Sequence, residues 1–249
     1  MNQTRSTDKE QNIREVLYII IPAYNEEANI NQCIDDWYPI VESHSGGGKS
    51  RLVIINDGSK DKTYEVMRER AKTLPLFQPL TKPNGGHGPT LLYGYRYAIA
   101  NGANYIFQTD SDGQTSPVEF EQFWALRNEY AAIFGNRTER GDGKDRAFVE
   151  KTLCRILKHY FKVNVPDANA PFRLMRSDYV GKYIPKLKED YNLPNAMLVA
   201  FGDYYHEAIK FIPISFKPRQ AGTNSINVKK IVRIGWQALR DFKEIQRGM

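Results

Sequence analysis

Val16-Leu17-Tyr18-Ile19-Ile20-Ile21, closed by Pro22 and followed by Ala23-Tyr24-Asn25-Glu26-Glu27, is the stretch on which the fold turns. Six consecutive apolar residues show no polar alternation, so the run predicts a strand buried on both faces, as in a parallel sheet. Ile30, Cys33, Ile34, Trp37 and Val41 then recur at helical spacing until Gly46-Gly47-Gly48 breaks the pattern. Outward from there, the chain predicts a second strand over Arg51–Ile55 and a helix over Thr63–Lys72. A helix that Pro89 opens and that runs through Ala100 precedes a third strand, Tyr105–Thr109. Ser116-Pro117-Val118-Glu119 has the form of a capping box with proline at the first helical position. Ala131–Phe134 reads as a fourth strand, Ala147–Phe161 as a helix, and Phe172–Met175 and Ile209–Phe216 as later strands. Val228 to about Gln246 reads as a basic amphipathic helix.

Strand and helix alternate through the first half, which predicts an α/β fold: a mostly parallel central sheet with helices on both faces. Ligands bind such sheets beyond the carboxyl ends of the strands. Three polar clusters fall there: Tyr24-Asn25-Glu26, Asn56-Asp57-Gly58-Ser59, and Asp110-Ser111-Asp112-Gly113-Gln114.

The bulk properties set limits. A chain of 249 residues, 41% of them apolar and 12% aromatic, can bury a full core and is no disordered polymer. Its net charge of +6 is either a solvated basic face or one suited to an anionic partner such as a nucleoside diphosphate or anionic lipid. Basic residues gather near the C-terminus without interleaved aromatics, which argues against a nucleic-acid partner. Cys33 and Cys154 form neither a disulfide framework nor a metal-ligand pair. The polar first fifteen residues lack an apolar signal core, and no apolar run is long enough to span a bilayer. The expected location is the cytoplasm, or the cytoplasmic face of a membrane as a peripheral protein.

Asp110, Asp112 and Gln114 carry the sharpest chemical signal. In an extended segment alternate side chains share a side, so their oxygens would converge on a hard cation, Mg²⁺ or Mn²⁺. The alternative is an acidic turn at a strand end. Asp57 is placed to accept a hydrogen bond from a nucleotide or to close an Asx turn. Asn25 and Glu26 can cap the helix after them, face a nucleotide, or both. Gly85-Gly86-His87-Gly88 before a helix start lets backbone approach an anionic ligand. His87 is either a structural loop histidine or a base. Arg137 and Arg173 can clamp phosphate or form ordinary ion pairs.

Together these segments resemble glycosyltransferase family 2, in the fold termed GT-A, and within it the dolichyl- or polyprenyl-phosphate sugar synthases. Ile21-Pro-Ala-Tyr-Asn-Glu-Glu27 resembles the family's opening motif, Asn56-Asp-Gly-Ser59 its Asp-Asp-Gly-Ser, and Asn84 to Ala98 its glycine-rich loop and helix. Asp110 to Gln114 resembles the metal motif, Gly135-Asn-Arg137 a Gly-Ser-Arg, Asp167 to Met175 an Asp…Gly-Phe-Arg segment, and Arg219 to Gly222 the start of a late loop. Asn56, Pro171 and Asn224 stand where the family usually has an acid, a glycine and a serine, and the late loop lacks the usual lysine.

The resemblance implies an inverting transferase domain over 16–227, between a polar tail at 1–15 and the basic helix at 228–249. It implies nucleotide contacts from Pro22, Ala23, Tyr24, Glu26, Asp57, Gly86 and Asp110, with Asp57 on the base. Asp110, Asp112 and Gln114 would hold Mg²⁺ or Mn²⁺. Arg137 and Arg173 would face phosphates or the acceptor, and Arg219 would close over the site. The donor would be a nucleotide sugar and the acceptor a polyprenyl phosphate, or a saccharide hydroxyl in cell-surface polysaccharide synthesis. A phosphate acceptor needs no strong base, whereas a hydroxyl would need one, for which Asp167 is the candidate. A sugar-nucleotide pyrophosphorylase would need a glycine-rich loop where Ala23-Tyr24-Asn25 stands. A scaffold without turnover would have no use for intact Asp110, Asp112 and Gln114. The C-terminal helix packs on the domain's own core or, through Val228, Ile231, Val232, Gly235, Leu239 and Phe242, lies on anionic lipid.

Overall fold

A computed structural model describes the backbone of residues 15–140, 144–218 and 228–247 and the side chains of 15–138, 147–218 and 237–247. The apolar run becomes β1 (Leu17–Ala23), and all seven of its residues are buried. It is flanked in parallel by β2 (Arg51–Asp57) and β4 (Tyr105–Thr109), with Ile19 opposite Leu52 on one side and Phe107 on the other. β3 (Phe77–Lys82) adds in parallel to β2. Beyond β4 lies β6 (Phe172–Arg176), antiparallel, then β5 (Ala132–Arg140) and β7 (Ile209–Phe216), giving the order β3-β2-β1-β4-β6-β5-β7. The helices are α1 (Ile30–Ser43), α2 (Thr63–Ala71), α3 (His87–Ala100), α4 (Phe120–Trp124), α5 (Lys144–Phe161), α6 (Ser177–Tyr183), α7 (Pro194–Tyr204) and α8 (Val228–Arg247).

Because side chains alternate along a strand, β1 feeds two cores at once. Tyr18 and Ile20 pack with Val53, Ile55 and Ile106 under α3 and α7. Leu17, Ile19 and Ile21 pack with Leu52, Ile54 and Phe107 under α1 and α4. Trp37, Phe107, Phe120, Phe123 and Phe172 form an edge-to-face and tilted aromatic cluster in the second core. The first core is closed at one end by α8. Phe242 is fully buried there against Phe161, with ring centroids 5.7 Å apart, and Gln246 Nε2 donates to Tyr160 O at 2.6 Å.

Several expectations are revised. β3, α6 and α7 carry no periodic signal. β3 holds Pro79 and is only part-buried, and α7 is buried from Pro194 to Gly202 on every side, so no polar stripe marks it. Ser116 makes no side-chain cap; Pro117–Glu119 is a single 3₁₀ turn, and Glu119 Oε1 instead accepts the Ser215 amide of β7 at 2.9 Å. For the described half of α8, the apolar face is spent on the domain itself, with Ala238 and Phe242 buried and Leu239 half-buried. The side chains of Val228, Ile231, Val232 and Gly235 lie outside the described residues, as does the polar segment 1–14. Among the described residues no helix is long and apolar enough to cross a membrane. Cys33 is buried and Cys154 half-buried, both as free thiols, and burial pushes Cys154 up to about 12.

Gly94 sets how closely α3 lies on the sheet: a Cβ there would meet Ile20 Cγ2 at 2.5 Å and Ile55 Cδ1 at 2.7 Å. Gly94→Ala should therefore destabilise by about 1–3 kcal/mol, the cost of overpacking a filled core. Urea unfolding reads this directly, and an unchanged midpoint would mean the helix–sheet contact is looser than described.

Candidate active site at the carboxyl edge of the sheet

The parallel strands β1, β2, β4 and β5 end at one edge, and β6, running backwards, begins there, with Phe172 opposite Thr109 and Arg173 opposite Gln108. Pro22 and Ala23 are the buried last residues of β1, and Ala23 lies opposite Asn56. Two loops at this edge are laced together. Asn25, at φ 55°, donates its amide to Ser59 Oγ at 2.9 Å and accepts the Lys60 amide on Oδ1 at 2.8 Å. The Glu26 amide donates to Thr63 Oγ1 at 2.9 Å, and its buried carboxylate accepts Asn29 Nδ2 at 2.7 Å. The Asn25 side chain thus reaches across to the β2–α2 loop, whereas that of Glu26 holds Asn29 just ahead of α1. Tyr24, beside them, is half-buried. Asn56 performs the turn role of the acid it replaces: its Oδ1 accepts the Ser59 amide at 3.1 Å and its Nδ2 binds Thr81 Oγ1 at 2.9 Å.

Asp57 is buried, and its carboxylate organises the glycine loop. Oδ1 pairs with Lys82 Nζ and accepts the Gly85 amide at 2.9 Å, and Oδ2 accepts the Gly86 amide at 2.8 Å. Two amides of the loop just ahead of α3 are thus served by an internal carboxylate. Gly86, at φ 91°, makes this turn, and Gly58, at φ 66°, cannot carry a Cβ without meeting the Asn84 amide at 2.7 Å. Nothing in the sequence of β3 marks Lys82 as the partner of Asp57.

His87 begins α3 and joins this loop to the acidic segment: its Nε2 lies 3.1 Å from Asp110 Oδ1. Loss of hydration alone would lower the imidazole, but the Asp110 carboxylate outweighs it and holds His87 above its ordinary value. Asp110 Oδ1 also accepts Gln108 Nε2 at 3.2 Å. Residues 111–113 bend, with Gly113 at φ 71°, so the segment is not extended and simple alternation does not place its side chains. Asp112 Oδ1 instead accepts the Gln114 amide at 3.2 Å, and Gln114 is buried with its Nε2 donating to Lys217 O at 2.9 Å. With the nitrogen so committed, the amide oxygen of Gln114 is the atom left for a cation. Two carboxylates and one amide oxygen fit a hard divalent ion. Among the described residues no group of three or more His, Cys, Asp or Glu side chains forms a ready-made cage.

On the far side of β4 the arginines are inward-facing. Arg137 donates to Asp167 through Nε at 2.7 Å and Nη2 at 2.8 Å, and to Glu150 at 3.0 Å, all three side chains being buried. Burial by itself would raise Asp167, but Arg137 holds it below the usual carboxylate range, whereas burial and the neighbouring Asp167 push Glu150 up. Glu150 also accepts the Ala168 amide at 2.8 Å; in the sequence of α5 it is one charge among many, with nothing to mark it. Arg173 is wholly buried. It donates to Ala170 O at 2.6 Å and Asn195 O at 3.0 Å, and among the described residues no carboxylate pairs with it. Burial lowers its pKa. Arg219 lies outside the described residues.

The strand order, with polar residues at the carboxyl edge and an acidic bend after β4, is that of an α/β fold that binds its ligands at the ends of the parallel strands. Residues 18–184 match the model of "Glycosyl transferase family 2", and the chain belongs to that family. It is a glycosyltransferase. It is 25% identical over 238 residues to an uncharacterised glycosyltransferase, YkcC, of Bacillus subtilis, covering 92% of this chain and 69% of that one. It is 35% identical over 153 residues to a dolichyl-phosphate β-glucosyltransferase, ALG5A, of Trichomonas vaginalis, covering 60% of this chain but only 46% of the relative. Glucosyl-3-phosphoglycerate synthase of Mycobacterium tuberculosis, crystallised with Mn²⁺ and UDP-glucose, shares the fold with a TM-score of 0.67 at 15% identity, over 96% of this chain and 82% of that one.

Asp167 accepts four N–H donors, from Arg137 (N, Nε and Nη2) and Asn169. In Asp167→Asn either amide orientation sets an NH₂ against two of them, so the variant should lose about 3 kcal/mol, the low end for breaking a buried ion pair. A carboxylate depressed in the folded state stabilises above its unfolded pKa and ceases to as pH falls through its folded pKa. The gap between wild type and variant should therefore be full at neutral pH and shrink in acid, as read by denaturant titrations at pH 7 and below pH 4. A gap that widened in acid would contradict the assignment.

Proposed function

We propose that this chain transfers a sugar with inversion from a nucleoside-diphosphate donor to a polyprenyl phosphate, with Mg²⁺ or Mn²⁺ at Asp110, Asp112 and Gln114. The observation that carries the reading is the gathering of Asp57, the glycine loop and the acidic bend at one sheet edge, linked through the His87–Asp110 contact. Bound there, a divalent cation would supply charge neutralisation for the diphosphate leaving group. Pro22, Ala23, Tyr24 and Glu26 would line the nucleotide, held in place by the lacing to Ser59, Lys60 and Thr63. Asp57 would face the base while its other lone pairs hold the Gly85 and Gly86 amides, which fixes the loop before substrate arrives. Arg137, spent on Asp167 and Glu150, would hold that wall of the site in place.

The state of Asp167 favours a phosphate acceptor. A carboxylate held below its usual range by four donors is a poor base, and an anionic phosphate oxygen needs none. The dolichyl-phosphate glucosyltransferase among the relatives supports the same class of acceptor. A saccharide hydroxyl is the second reading. Arg219 would close the acceptor side, and the basic exposed residues Arg240, Lys243 and Arg247 of α8 are suited to an anionic membrane surface.

Incubation with UDP-sugars and a short polyprenyl phosphate should yield the lipid-linked sugar, with product lost in EDTA and restored by Mn²⁺ or Mg²⁺. Asp112→Ala should lower turnover roughly a hundredfold or more, the scale for removing a key electrostatic stabiliser. Full activity in EDTA would overturn the metal assignment, and transfer only to soluble saccharides would overturn the lipid acceptor.

A further inference from the structure

Behind Asp110 runs a line of buried polar side chains through an otherwise apolar core. Tyr95 of α3 donates its hydroxyl to Asn195 Oδ1 of α7 at 3.0 Å. Asn195 Nδ2 donates to Gln108 Oε1 of β4 at 3.1 Å, and Gln108 Nε2 donates to Asp110 Oδ1 at 3.2 Å. Tyr95 and Gln108 are fully buried and Asn195 is 1% exposed, so water does not compete for any of these groups. Every bond points the same way. The Asp110 carboxylate can only accept, so Gln108 offers it the NH₂ and turns its carbonyl to Asn195; Asn195 then offers its NH₂ to Gln108 and its oxygen to the Tyr95 hydroxyl. Aligned donors in a dry medium strengthen one another. Arg173 Nη1, donating to the Asn195 carbonyl at 3.0 Å, pins the residue that turns the line.

We infer that Asn195 is a positioning residue for the cation site: through Gln108 it loads Oδ1 of Asp110 with donors, orients that carboxylate, and leaves Oδ2 as the oxygen presented to the ion. The inference rests on the reading of Asp110 as a metal ligand. Outer partners of this kind are tuned with the ligands they orient, and their loss typically costs 10–100-fold in metal affinity.

Asn195→Asp separates this role from mere packing. Aspartate has nearly the shape of asparagine and still accepts from Tyr95, but has no NH₂ for Gln108. Gln108 then stands between two carboxylates and cannot serve both: it either sets its carbonyl against the introduced one or turns its NH₂ to it and its carbonyl to Asp110, and each outcome disturbs the hold on Asp110. Mn²⁺ binding to the full chain, read by electron paramagnetic resonance at a temperature where each variant keeps the wild-type circular dichroism, should weaken roughly 10–100-fold. Tyr95→Phe keeps the ring, leaves Asn195 Oδ1 without its donor so that the far end of the line is held less firmly, and should weaken Mn²⁺ in the same direction by a smaller factor. It also serves if Asn195→Asp does not fold. Wild-type Mn²⁺ affinity in whichever of the two variants folds overturns the positioning role while leaving the metal reading intact. No Mn²⁺ binding by the wild type overturns both.

Discussion

The burial of β1 on both faces is the constraint from which the rest follows. A strand with helices above and below it tolerates no polar side chain, and Leu17–Ala23 has none beyond the hydroxyl of Tyr18. The chain's polar groups can appear only where the strand leaves the sheet. Its neighbours β2 and β4, parallel to it, are apolar along Leu52–Ile55 and Tyr105–Phe107 and turn polar only at their carboxyl ends, with Asn56, Asp57, Gln108 and Thr109. Three apolar strands of similar length therefore deliver Tyr24 to Glu26, Asp57, and Asp110 to Gln114 to one edge. That is a consequence of hydrophobic burial before any chemistry is considered.

At that edge the difficulty is to hold charge out of water. Different solutions stand side by side. Asp57 is met by a lysine and two backbone amides, and Asp167 by a bidentate arginine. Arg173 has carbonyl oxygens and the face of Phe134, 5.3 Å from its guanidinium carbon. Fixed donors cost little further reorganisation when a charged substrate arrives, because their ordering is complete once the protein has folded. The glycines serve the same end. At Gly58 and Gly86 the backbone takes conformations in which side chains are strained, and this brings the loop amides onto the Asp57 carboxylate.

The departures from the family pattern have local answers. Asn56 keeps the turn by accepting the Ser59 amide, so the loss of an acid there costs a charge and not the geometry. Pro171 precedes Phe172 at the start of β6, where the sheet edge requires no amide from it, and the reversed strand still sets Arg173 beside Gln108. The C-terminal helix meets the core through Ala238 and Phe242, which ties the end of the described chain to α5.

From sequence by itself, the buried strands, the parallel α/β architecture and the three polar clusters at strand ends were legible, because apolar runs and turn residues are local signals. The family was legible for the same reason, its motifs being short and in order. What escaped was non-local. β3 is an edge strand with a proline, and α7 is buried on all sides, so neither shows a period. The even spacing of Asp110, Asp112 and Gln114 suggested one shared side, but Gly113 bends the chain and sends the Gln114 amide nitrogen to Lys217, across 103 residues. Lys82, Glu150 and Asn195 stand in unremarkable sequence; only the folded sheet brings Lys82 to Asp57, Glu150 to Arg137, and Asn195 to Gln108 from 87 residues away. Sequence determined where polar groups could emerge, since burial is a property of each strand. Tertiary structure decided which of them touch, since a hydrogen bond depends on ångström distances that no spacing along the chain contains.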